Sequence, residues 1–135
     1  MELDVVAVGS IDIFSQTRAK SPLVYVVEGK LAYTRKLIRD VVEEAILRLT
    51  VADYVLIAAP RKARIWISNK ELAEVVVVDE IRKRLYGTYS RKLGLMAIDV
   101  ASVEVTKNPE RSRLYVPSAK ELIIKSVLRG SCKHR

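Results

Sequence analysis

Two runs of mostly β-branched apolar residues, Leu3–Val8 and Leu23–Val27, constrain this chain more than any other feature. Runs this short and this apolar suit strands buried in a central sheet. Two more follow, Val51–Ala59, stopped by Pro60, and Leu95–Val100, with Val103–Val105 as a continuation after a bend. Between them the period changes. Over Leu31–Leu49, residues Ile38, Val41, Val42, Ala45, Ile46 and Leu49 form one stripe, and Arg35, Lys36, Arg39, Asp40, Glu43, Glu44 and Arg48 fill the other side. That is an amphipathic helix. The order predicted is β, β, α, β, (β), α, β, (β), α. It specifies an α/β fold, a mixed central sheet flanked by helices on both faces.

The connecting segments carry weaker signals. Ser15–Pro22 has loop chemistry and holds Arg18 and Lys20. Ser68-Asn69-Lys70-Glu71 has capping-box spacing, which predicts a helix from Leu72 through Val75, Val78, Ile81, Leu85 and Tyr89. The four valines Val75–Val78 pull toward strand instead. Trp66, in the short run Ile65–Ile67, is expected to pack rather than to stack on a base. Ser118 and Glu121 start a last helix over Ala119–Arg129, with Gly130 as its stop and 131–135 as a basic tail. Residues 1–130 then form one domain, a length sufficient for a buried core.

Charge narrows the partner. With 24 Lys+Arg against 16 Asp+Glu, the formal charge is +8, which favours a polyanion such as nucleic acid. A single cysteine, Cys132, and a single histidine, His134, exclude an internal disulfide and a Cys/His zinc cluster. No apolar run approaches the length of a membrane span and no secretory signal is apparent, so a soluble, cytoplasmic protein is expected. Gln16, Asn69 and Asn108 are the only side-chain amides, a profile that suits a hot environment. A nucleotide-binding domain is disfavoured, because no glycine-rich loop joins a strand to a helix.

The second run ends in Glu28-Gly29-Lys30, an acid and a base two residues apart. On a strand, residues i and i+2 share a face, about 6–7 Å apart. Alone, such a pair is ordinarily a solvated ion pair of little worth. If the strand pairs with Leu3–Val8, however, Asp4 joins Glu28 and Lys30. Two carboxylates can hold a hard divalent cation beside an ammonium donor.

Asp4 followed by Glu28-Gly29-Lys30 resembles the D…(D/E)xK signature of the PD-(D/E)XK nuclease superfamily. So does the order ELDVVAV, VYVVEGK, helix, ADYVLIAAP, helix, GLMAID over residues 2–100. The resemblance implies a restriction-endonuclease-like core and metal-dependent hydrolysis of phosphodiester bonds, in DNA first. It implies that Asp4, Glu28 and the Gly29 carbonyl hold Mg²⁺ or Mn²⁺. Lys30 would orient water or stabilise developing charge. Arg18, Lys20, Arg35 and Lys36 would contact the nucleic-acid backbone, with Tyr33 and Thr34 also at the helix start. The superfamily commonly has a helix ahead of the first catalytic strand, sometimes with another acid; here the strand comes first. Glu2 and Asp12 remain alternatives as carboxylate donors. The missing helix also leads to the expectation of a homodimer, covering the strand edge. A catalytically inactive nucleic-acid-binding or assembly protein on the same fold is the alternative.

Overall fold

Strand β1 (Glu2–Asp12) runs antiparallel to β2 (Thr17–Lys30), Glu2 opposite Lys30 and Asp12 opposite Thr17. The register shifts between Gly9 and Ile11, where β2 carries the extra residues of a bulge. The computed structural model describes residues 2–30 and 32–133. Helix α1 (Arg35–Arg48) crosses over to β3 (Tyr54–Pro60), which lies parallel to β2. A separate hairpin, β4 (Lys62–Ser68) and β5 (Glu71–Val76), leads into α2 (Val77–Arg82). Then β6 (Gly94–Ile98) adds parallel to β3, and β7 (Val103–Lys107) closes antiparallel to β6. Helix α3 (Pro117–Lys133) follows. The fold is mixed α/β, and the main sheet has the order β1-β2-β3-β6-β7.

All three helices share one apolar cluster. Val24 and Val26 of β2, Val55, Ile57 and Ala59 of β3, and Leu95 and Ala97 of β6 meet Ile38, Val41, Val42 and Ala45 of α1. Val77, Val78 and Ile81 of α2 join them, and Ile123 and Ile124 of α3 pack at the margin. The helices therefore cover one face of the sheet, not both as the sequence order led us to expect. On the opposite face the hairpin tip bends over one end, Phe14 packing against Tyr25 and Tyr54.

A buried carboxylate ties the C-terminal third to this frame. Asp53 is fully buried at the entry to β3; its Oδ2 accepts from the Val24 backbone N–H at 2.8 Å and pairs with Lys120 Nζ at 2.8 Å. Arg111 approaches the other oxygen at 3.5 Å, and the Ser112 hydroxyl donates to the Leu49 carbonyl. Gly94 is needed for close approach: a Cβ there would meet the Pro109 ring at 2.8 Å and its nitrogen at 2.9 Å.

Several expectations fail for identifiable reasons. Ser15–Pro22 is not a loop, since β2 begins at Thr17. Asp12 Oδ1 accepts from the Phe14 and Ser15 N–H groups at 3.0 Å, and Gln16 takes a left-handed φ of 57°, so the reversal is completed within four residues. Ser68–Glu71 is no capping box. The Ser68 hydroxyl takes the Lys70 N–H in a hairpin turn, and helix begins only at Val77, because Ile65 pairs across with Ala73 in a period-two pattern. Trp66 does not pack; it is 61% exposed on the outer face of that hairpin. Helix α1 starts at Arg35, capped by the Thr34 hydroxyl accepting from the Leu37 N–H, and Leu31 lies outside the described residues. Gly130 does not stop α3, which runs on to Lys133; of the expected tail, His134 and Arg135 lie outside the described residues.

Candidate active site

Antiparallel register sets Asp4 directly opposite Glu28. Directly opposed residues share a face of the sheet, with Cβ atoms about 4.5–5.5 Å apart. The face is the one α1 covers, since Glu28 follows Val24 and Val26 by the pleat and pairs with Ile57 of β3. Glu28 is thus a carboxylate among core aliphatics, 2% exposed, while the Asp4 side chain, 38% exposed, looks out at the edge. Burial comes first among the causes that push the Glu28 carboxyl from 4.5 up to about 7. The hydrogen bond and negative charge of Asp4 add to it, and Arg48 pulls the other way.

Arg48 bridges the pair, its Nε 3.4 Å from Glu28 Oε2 and its Nη2 3.9 Å from Asp4 Oδ2. It comes from the last turn of α1, a position sequence reasoning assigned only to the solvated side. Its cation holds two neighbouring carboxylates together in the place where a metal ion would neutralise them. Lys30 shares the face, but its Nζ is drawn to Glu44 of α1, 3.1 Å from Oε2, and is buried there. Glu44 and Arg48 are the two residues sequence reasoning missed. No sequence signal separated them from the other charged residues on that side of α1.

The other anticipated residues are distributed unevenly. Gly29 is paired on both sides, with Leu3 and Ala58, so its carbonyl lies in the sheet plane. Glu2 pairs with Lys30 through the backbone, and its side chain lies outside the described residues. Asp12 sits at the far end of β1, buried and accepting from the Tyr54 hydroxyl at 2.5 Å; its carboxyl is held low by that bond and two backbone donors, although burial, the largest single influence, pushes it up. It does not reach Glu28. Arg18 and Lys20 are exposed on the first half of β2, eight to ten residues before Glu28 and so about 26–34 Å along the strand. Arg35 and Lys36 are exposed in the first turn of α1, beyond the carboxyl end of β2. Tyr33 is buried, its hydroxyl donating to the Ala58 carbonyl at 2.9 Å and pushed up to about 12 by burial, and Thr34 is engaged as the cap; neither is free for phosphate.

Among the described residues no group of three or more His, Cys, Asp or Glu is arranged to hold a metal ion. Two carboxylates still suffice for Mg²⁺, which commonly keeps several waters and takes one or two protein ligands plus substrate oxygens. None of the described helices is long and apolar enough to cross a membrane. Comparison with protein-family models, curated proteins and solved structures yields no match for this chain.

Proposed function

We propose that this protein is a metal-dependent nuclease, with DNA as the favoured substrate and Asp4 and Glu28 as its metal-holding carboxylates. The observation that carries this is the Asp4–Glu28 pair, set in register at the carboxyl end of β2 with Lys30 two residues on and on the same face. Mg²⁺ or Mn²⁺ bound there would supply a water of lowered pKa and neutralise charge on the scissile phosphate. The chain's own residues do the rest. Burial of Glu28 beside Asp4 concentrates negative charge that a cation relieves. Arg48, half exposed and paired with both carboxylates, would be released toward a phosphate oxygen when a cation takes its place. Lys30 is fixed by Glu44 next to the site, where its ammonium stabilises negative charge as it develops. Arg35 and Lys36, exposed in the first turn of α1, would contact the nucleic-acid backbone, and the net charge of +8 suits it.

A catalytically inactive nucleic-acid-binding or assembly protein on this fold is the second reading. One feature favours it: both Lys30 and the carboxylate pair already have partners within the chain, Glu44 and Arg48. Labelled single-stranded, duplex and branched DNA, incubated with purified protein and Mg²⁺ or Mn²⁺, separates the two. Metal-dependent cleavage abolished by chelator is the expected result. Binding without cleavage under every metal condition would establish the second reading.

A further inference from the structure

The β4–β5 hairpin has two unlike faces. Ile65 is buried in the core, and Ala63 and Val75 pack beside it. Lys62, Arg64 and Trp66 of β4, with Leu72, Glu74 and Val76 of β5, alternate with those residues and are exposed, so they share the outer face. Trp66 is the chain's sole tryptophan, and at 61% exposure it stands directly opposite Leu72. Among the described residues no ring or cation stacks on it. Lys62 and Arg64 precede it on the same face. The Lys62–Glu74 ion pair, 3.7 Å long with both side chains well exposed, is worth little and yields to a competing phosphate.

The hairpin also stands at the right end of the molecule. It grows from the carboxyl end of β3, the end of the sheet at which the parallel strand β2 carries Glu28 and Lys30. Ile57 of β3 lies beside Glu28 and Trp66 follows it by nine residues, so Trp66 and Glu28 are at most about 37 Å apart. At about 3.4 Å per nucleotide, a strand of about eleven spans that distance. Between them, Arg35, Ile38, Ile65, Val75, Glu80 and Arg84 line a cleft of about 190 Å³ where the start of α1 meets the inner face of the hairpin. Arg84, paired with Glu80, and Arg35 thereby continue the basic side chains from the hairpin to the first turn of α1.

We infer that Trp66 is a stacking platform for an unpaired base, and that the outer face of the hairpin holds single-stranded nucleic acid leading to the Asp4–Glu28 pair. The inference rests on the proposal that the protein binds nucleic acid, and not on whether it cuts. Charge selects the occupant. A chain of +8 that flanks an open indole ring with Lys62 and Arg64 suits a polyanion whose bases carry flat π-faces. Geometry selects the unpaired strand. In a duplex each base already stacks on its neighbours and offers no ring face, whereas a splayed base can lie on the indole while its phosphates meet the two cations. Such stacking is tolerant of sequence, because every base has a π-face. It therefore adds a preference for strand structure to a site whose other contacts are with the backbone.

With one tryptophan in the chain, intrinsic fluorescence reports on position 66 alone. Wild-type protein, with chelator present so that nothing is cut, is titrated with an oligodeoxythymidylate and with a blunt duplex of the same length. The single strand should quench the emission, saturating where the anisotropy of the labelled oligonucleotide saturates; the duplex should leave it nearly unchanged. Trp66→Ala removes an exposed side chain, so the fold should persist by circular dichroism, and single-strand affinity should fall about 5- to 150-fold. Trp66→Phe keeps a ring and should restore most of that loss, and duplex affinity should be the same in all three proteins. Binding of the single strand with Trp66 emission unchanged, or with Trp66→Ala as tight as wild type, would overturn the stacking role and leave the nucleic-acid reading standing. Equal quenching by the duplex would overturn the preference for an unpaired base. No binding of either DNA at low salt would remove the nucleic-acid reading and this inference together. Quenching by anionic phospholipid vesicles and not by DNA would overturn it as well, assigning the face to a lipid surface.

Discussion

Replacing Glu28 by glutamine should stabilise the metal-free protein, and increasingly so as pH rises. The folded environment lifts the Glu28 carboxyl from 4.5 to about 7, through burial first and Asp4 second. A carboxyl raised in the folded state favours folding below its unfolded value and loses that advantage as pH climbs through about 7. At about 1.36 kcal/mol per pH unit, the rise corresponds to about 3 kcal/mol of lost stability once Glu28 is fully ionised. Glutamine removes this penalty. The opposing attraction of Arg48, which keeps Asp4 in the variant, is already contained in that rise. The expected net gain is about 3 kcal/mol at pH 8, shrinking to almost nothing near pH 4.5. Urea denaturation with chelator present, run from pH 4.5 to 8 on both proteins, measures it. Adding Mg²⁺ should reverse the order by stabilising wild type alone. A stability difference that stays flat across this range, or a variant less stable at pH 8, would refute the electrostatic reasoning.

Other consequences follow from single residues. Asp53→Ala leaves the Lys120 ammonium and the Val24 N–H buried without their partner, and should cost about 3–5 kcal/mol in denaturant titrations. Protease cleavage near Leu114–Pro117 should appear before global unfolding as α3 loosens. Gly94→Ala forces a methyl against the Pro109 ring and should cost about 1–3 kcal/mol, read as a lowered Tm. Affinity for nucleic acid should fall steeply with salt if Arg35, Lys36 and the general positive charge engage phosphates, and fluorescence anisotropy at several ionic strengths will show the slope.

The sequence made the sheet's centre readable and its margins misleading. Leu23–Val27 and Tyr54–Ala59 are apolar on both faces because both lie inside the sheet, so composition alone marks them. The same runs made it legible that Asp4 and Glu28 could meet once the two strands pair; the register that sets them directly opposite comes from the structure. The hairpin β4–β5 was misread because a capping-box spacing is a local signal. The period-two pairing of Ile65 with Ala73 depends on residues across a turn and prevails over it. The partners of the site were hidden for a different reason. Arg48 and Glu44 sit on the polar side of α1 and look solvated in a helical projection; that α1 lies over the end of β2, and turns that side toward Glu28 and Lys30, is a tertiary fact. The helix-free sheet face was equally invisible, since strand order does not fix which face the helices choose.

Cleavage by wild type and Glu28→Gln, compared under single-turnover conditions with Mg²⁺ or Mn²⁺, bears most directly on the proposed site. Wild type should cut labelled DNA in a metal-dependent manner. The variant should bind it with unchanged affinity and cut at least about a thousandfold more slowly, equivalent to about 4 kcal/mol of lost transition-state stabilisation. Equal rates from a folded Glu28→Gln protein would contradict the assignment of Glu28 to the reaction.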